Sequence, residues 1–189
     1  MHTETEVKLA VESFDGLRGQ LAAADAVRIG CVIETNWFFD RPDRSLAAGD
    51  QGLRIREVHP ADGSSTPSTL TYKGPASSGP VKSRPELELT IADPDGAREL
   101  LLAIGFVEIL AYQKRRESWR FCSCRVELDE LPHLGRFVEI EGPDCQTIVE
   151  ARRRLGLAEV AVADQSYLAM LLGYVERQGL ASPRVMLDE

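Results

Sequence analysis

Thr3-Glu4-Thr5-Glu6-Val7-Lys8-Leu9 alternates charged and uncharged side chains with a period of two. That is the period at which successive side chains of a β-strand point to opposite faces. One face of this segment is charged throughout. Working outward, the same pattern returns along the chain. Arg54 and Arg56 alternate with Leu53 and Ile55, and Glu86 and Glu88 with Leu87 and Leu89. Glu127 and Asp129 lie beside Val126 and Leu128, and Glu139 and Glu141 beside Val138 and Ile140. Lys114 and Arg116 share the spacing, and Lys73 and Arg84 extend the set.

The polar face of an antiparallel sheet ordinarily points at water, and for any single strand solvation explains the pattern. Two features of the whole set argue otherwise. The faces repeat same-sign pairs, which are destabilising at close range unless something neutralises them. In addition, helices must cover the apolar face, so the charged face curls inward if the sheet closes. The expected fold is therefore α+β: an antiparallel β-barrel with a charged lumen and helices packed outside. Cys122 and Cys124 share parity with Val126 and are expected to pack in the core.

The helices announce themselves by their caps. Asp93, with Pro94 at the first helical position, opens a helix that Gly105 stops. Asp144 to Leu155, stopped by Gly156, and Asp164 to Leu172, stopped by Gly173, read the same way, and Ser13 to Ala24 forms a fourth. Residues 60–67 and 74–80 are rich in Pro, Gly and Ser and read as loops between strands. One domain over residues 1–176 is expected, followed by a tail over 177–189.

With 30 acidic against 22 basic residues the net charge is -8, so no overall field attracts nucleic acid or anionic lipid. No apolar run approaches the length of a membrane span, and the first residues lack the pattern of a signal peptide. A cytoplasmic protein is expected. Its four cysteines should then be reduced, and their spacing does not imply zinc. Phosphate-binding loops, dinucleotide fingerprints and His-Glu-x-x-His helices are lacking. His2, His59 and His133 are isolated, and Trp37 and Trp119 read as packing residues.

The lumen would hold the acids Glu4, Glu6, Glu86, Glu88, Glu127, Asp129, Glu139 and Glu141. It would also hold the bases Lys8, Arg54, Arg56, Lys73, Arg84, Lys114 and Arg116. Desolvating so many charges without a ligand is costly. A polyphosphate with its divalent cation relieves that cost, because Arg and Lys hold phosphate oxygens and carboxylates hold a hard cation.

Glu4-Thr5-Glu6-Val7-Lys8 resembles the opening E-x-E-x-K signature of the CYTH domain, or triphosphate tunnel metalloenzyme superfamily. Leu53-Arg54-Ile55-Arg56, Leu70-Thr71-Tyr72-Lys73, Arg84-Pro85-Glu86-Leu87-Glu88, Lys114-Arg115-Arg116, Glu127-Leu128-Asp129 and Phe137-Val138-Glu139-Ile140-Glu141 follow in that family's order. The resemblance covers nearly the whole chain. It implies an eight-stranded antiparallel tunnel that binds a triphosphate with Mg²⁺ or Mn²⁺. On this reading Lys8, Arg54, Arg56, Lys73, Arg84, Lys114 and Arg116 cradle the phosphates. Glu4, Glu6, Glu139 and Glu141, with Glu127 and Asp129, ligate the metal, and Glu86 and Glu88 complete that site or orient the attacking water. The partner is a small triphosphate, with no nucleic acid or membrane involved, and a homodimer is compatible with all of this. The expected reaction is metal-dependent triphosphate hydrolysis. Class IV adenylyl cyclases carry a His-Phe-x-x-Arg stretch before the first strand that this chain does not show, which places cyclisation second. A non-catalytic polyphosphate-binding module is the third reading, and the full set of carboxylates speaks against it.

Overall fold

Period-two alternation becomes eight antiparallel strands that close on themselves. In the computed structural model, which describes residues 2–64, 66–77, 81–180 and 182–188, β1 (His2–Val11) leads into α1 (Asp15–Ala23). There follow β2 (Val27–Asp40), α2 (Ser45–Ala48), β3 (Gly52–Pro60), β4 (Ser68–Lys73) and β5 (Lys82–Ile91). After α3 (Pro94–Ala103) come β6 (Val107–Phe121), β7 (Cys124–Leu131) and β8 (Gly135–Glu141). The chain ends with α4 (Cys145–Arg154), α5 (Tyr167–Gln178) and β9 (Arg184–Val185). The strands run in the order β2-β3-β4-β5-β1-β8-β7-β6, and pairing of β6 with β2 closes the barrel. No helix of the described residues is long and apolar enough to cross a membrane.

The barrel sorts its side chains as the alternation requires. Val7, Leu9, Val126, Leu128, Val138 and Ile140 face outward and are buried against Leu17 and Leu21 of α1, Ile148 and Ala151 of α4, and Leu155 at its C-cap. Burying each such side chain is worth about 1.5–3 kcal/mol, so the helices fix which face of the sheet turns inward. Ile55 and Phe39 form a second outer core with Leu101 of α3. A third cluster differs, because Leu110, Tyr112 and Phe137 share inward parity with Lys114 and Glu139. They pack on Tyr167 and Leu171, so α5 lies against one end of the barrel.

The caps behave as read. Asp93 accepts from the Gly96 amide at 2.9 Å, Asp144 from Thr147 at 2.8 Å, and Gly105 and Gly156 take left-handed φ of 94° and 63°. Cys124 is buried, while Cys122 sits in the β6–β7 turn with φ 50°, partly covered by the same core. The last helix departs from expectation. Its N-cap is Ser166, whose hydroxyl accepts from the Ala169 amide, and it passes through Gly173 to end at Gly179, φ 62°. An interior glycine costs a helix only about 1 kcal/mol, less than α5 gains by packing Leu171, Tyr174 and Val175. The segment read as a tail is also docked. Arg177 and Gln178 belong to α5, and β9 pairs in parallel with Ala111 and Tyr112 of β6. Beyond Leu131 the chain of β7 turns away, which leaves that edge of β6 free to take it. Residues 78–80 of the second expected loop lie outside the described residues.

Candidate functional site

Inward parity from all eight strands brings the charged side chains into one interior. At its centre Lys114 and Arg116 of β6 meet Asp129 of β7. Lys114 Nζ is 2.8 Å and Arg116 Nη2 2.6 Å from Asp129 Oδ2, and the Tyr167 hydroxyl donates to the same oxygen at 3.1 Å. Glu139 of β8 accepts from Arg116 and lies 3.4 Å from Lys8 Nζ, whose ammonium stands 3.8 Å above the Tyr167 ring. Burial alone would raise the Glu139 carboxyl, yet Lys114, Lys8 and Arg116 hold it well below the usual carboxylate range.

Glu34 of β2 belongs to the same cluster, and the charged-pair pattern did not reveal it. Arg56 Nη1 lies 3.2 Å, Lys114 Nζ 3.4 Å and Arg116 Nη1 3.7 Å from its carboxylate. Against the penalty of burial, these three cations keep Glu34 ionised far below the usual range. Asn36, two residues on, accepts from Arg56 Nε at 2.8 Å. The signal was present in Ile33-Glu34-Thr35-Asn36-Trp37, but a single acid among neutral polar groups looks like a solvated strand. Lys82 was missed for a similar reason, at the edge of a loop. It shares inward parity with Arg84 and Glu86, and its ammonium donates to the Asp164 carbonyl.

A second cluster gathers Glu4, Lys73 and Glu86. Lys73 pairs with Glu4 and lies 3.2 Å from Glu86. Burial opposes the charge of Glu4, but Lys73 holds its carboxyl below the ordinary value, whereas burial wins at Glu86 and raises it. Glu127 accepts from Ser118 and is likewise raised by burial. The remaining expected residues sit further out. Glu88 is exposed and accepts from Thr71 at 3.2 Å, Glu141 is half-buried, and Arg84 turns to Asp50 at 3.0 Å.

Arg54 and Glu6 stand in the interior with no counter-ion among the described residues. Arg54 reaches only the Thr71 hydroxyl, at 3.4 Å, and its Nε is buried without a hydrogen-bond partner. Glu6 forms no ion pair, and burial, with Glu139 and Glu4 nearby, pushes its carboxyl up to about 7. A ligand bearing both signs satisfies both groups. The donor chemistry at Glu4, Glu6 and Glu139 fits a hard divalent cation. As the side chains stand, no three acidic, His or Cys side chains of the described residues converge to ligating distance, so they form a carboxylate wall and not a preformed cage. Asp129 has its oxygens committed to Lys114, Arg116 and Tyr167, which suits an anchor of cations better than a metal ligand.

A cleft of about 310 Å³ outside the barrel, bounded by Arg18, Cys31, Arg115 and Arg136, also gathers charge. Its guanidiniums are paired with Glu117 or Glu130, which leaves nothing for a ligand to neutralise.

The family model of the CYTH domain matches residues 2–167. This chain belongs to the CYTH family. Adenylate cyclase CyaB of Aeromonas hydrophila is 30% identical to the CYTH protein described here over 174 residues, 87% of this chain and 86% of that one. A Methanocaldococcus jannaschii protein whose name also carries adenylate cyclase is 29% identical over 138 residues, 73% of this chain and 75% of that one. A Pyrococcus horikoshii OT3 protein of solved structure superposes with a TM-score of 0.75 at 31% identity, covering 90% of this CYTH chain and 99% of its own. The closed eight-stranded barrel with outer helices is thus the fold of the CYTH family, and a divalent metal and a triphosphate substrate are what that family implies.

Proposed function

We propose that this CYTH protein hydrolyses a triphosphate inside its barrel with the help of Mg²⁺ or Mn²⁺. The observation that carries the reading is the pair of uncompensated interior charges, the Arg54 guanidinium and the Glu6 carboxylate, set among cations and acids that already neutralise one another. Arg54, Arg56, Lys73, Lys114, Arg116 and Lys8 would bind the phosphate oxygens. Asp129 and Glu34 orient Lys114, Arg116 and Arg56 in advance, so that little reorganisation is needed when charge builds on the transferring phosphoryl group. Glu4, Glu6 and Glu139, with Glu141, would hold the metal, which when bound supplies charge neutralisation between carboxylates and phosphates. Glu86, raised by burial, would hold or accept a proton from the attacking water, and Glu88 would help to orient it. Hydrolysis asks for nothing beyond these groups and a water.

Cyclisation is the second reading, favoured by the adenylate cyclase named above at 30% identity. It asks in addition that a ribose 3′-hydroxyl be held in line with the α-phosphorus. Chromatography of the products from tripolyphosphate, thiamine triphosphate and ATP, each with Mg²⁺ or Mn²⁺, separates the two. Phosphate or pyrophosphate without cyclic AMP supports hydrolysis, and cyclic AMP as the main product from ATP replaces it with cyclisation.

A further inference from the structure

We infer that Asp50 is a latch that holds Arg84 away from the phosphate-binding centre, and that a bound triphosphate takes this guanidinium over. The inference rests on the triphosphate reading above and names a residue that tunes its affinity. On β5, Arg84 lies directly across from Glu4 of β1 and two residues from Glu86, on the inward face. Lys73 reaches both of those carboxylates. Arg84 does not: among the described residues it makes no ion pair with a tunnel carboxylate. Its Nη2 instead donates to Asp50 Oδ1 at 3.0 Å and to the Asp50 carbonyl at 3.3 Å, in the loop that joins α2 to β3.

That loop is fixed in place. Buried Asp40 accepts from the amides of Arg41, Leu46 and Ala47 at 2.7, 3.0 and 3.2 Å. Asp50 adopts a left-handed φ of 50°, and its second oxygen accepts from the Ala76 amide at 2.7 Å, across from the β4–β5 connection. The latch is anchored, but its hold on Arg84 is weak. The Asp50 side chain is 65% exposed and that of Arg84 21%, and ion pairs at such positions are screened by water and salt. A guanidinium on a phosphate makes a charge-assisted, two-pronged contact. Exchange of Asp50 for phosphate therefore favours the ligand, and the arginine side chain is long enough to swing. A polyanion that draws Arg84 inward must compete with Asp50, so removing the Asp50 charge should tighten binding.

The test is calorimetric titration of tripolyphosphate with Mg²⁺ into the parent, Asp50→Asn, Arg84→Gln and the double variant. Asn keeps an oxygen for the Ala76 amide and tolerates the left-handed backbone, while losing the charge. Asp50→Asn should lower the dissociation constant about threefold, Arg84→Gln should raise it about tenfold, and Asp50→Asn should have no effect once Arg84 is gone. Asp50→Ala supplies a second removal of the charge and should shift binding in the same direction. Unchanged or weaker binding by both Asp50 variants overturns the latch. So does tightening that persists in the Arg84→Gln background, which would assign it to the general field. A parent that binds no tripolyphosphate at all, with any variant, would sink the triphosphate reading as well.

Discussion

Lys114 Nζ lies 2.8 Å from Asp129 Oδ2, and the two side chains are 1% and 0% exposed. Arg116 and the Tyr167 hydroxyl share the same carboxylate, so strands β6 and β7 and helix α5 meet at one buried anion. Removing one member of such a network leaves the other charges uncompensated, at a cost of about 3–5 kcal/mol. Asp129→Asn should lower the unfolding free energy by that order in urea denaturation. Tyr167→Phe, which deletes one donor and no charge, should cost about 1 kcal/mol. Equal and small effects from both would mean that water already screens the cluster.

Glu6 makes the unliganded protein sensitive to pH. Its folded carboxyl titrates at about 7 against an ordinary value of 4.5, so the native state binds this proton more tightly than the unfolded chain. Its contribution to stability is therefore complete below about pH 4.5 and is lost as pH rises through about 7. Glu6→Gln, which cannot ionise, should match the parent near pH 4.5 and exceed it above pH 7 by about 3 kcal/mol. Denaturation curves at several pH values check this, and a difference independent of pH would count against it.

Metal should act on the same group. In metal-stripped protein at pH 8, added Mg²⁺ or Mn²⁺ should raise the melting temperature of the parent, because a cation relieves the repulsion among Glu4, Glu6 and Glu139. Glu6→Gln should gain much less. An equal gain in both proteins would place the cation elsewhere.

Arg54 carries the opposite uncompensated charge. Arg54→Met should stabilise the unliganded protein by about 1 kcal/mol, the pattern of a site that gives up stability for function. The same change should weaken tripolyphosphate binding at least tenfold, since a charged donor to phosphate is lost. Thermal melts with and without tripolyphosphate report both effects together.

The fold was legible because its signal is local. Glu4-Thr5-Glu6-Val7-Lys8 and its counterparts state which face each strand turns inward, and Asp93, Asp144, Gly105 and Gly156 mark helix ends through single side chains or backbone angles. What stayed hidden depends on tertiary partners. Glu34 acquires its meaning from Arg56, Lys114 and Arg116 on other strands. Arg84 reads as one more inward base until Asp50 appears beside it. Residues Arg184–Val185 carry no period at all, and they form a strand only because β6 offers an unpaired edge. Gly173 reads as a stop, yet the apolar face of α5 continues past it.

The central claim is that the barrel interior is the triphosphate site, and calorimetric titration of tripolyphosphate in the presence of Mg²⁺ tests it most directly when run on the parent and on Arg56→Ala. The parent should bind with one-to-one stoichiometry, and ligand at 100 times its dissociation constant should add about 2.7 kcal/mol to stability. Arg56→Ala, folded as judged by its own melt, should bind at least tenfold more weakly. Binding of equal strength in both, or none in the parent, would contradict the account.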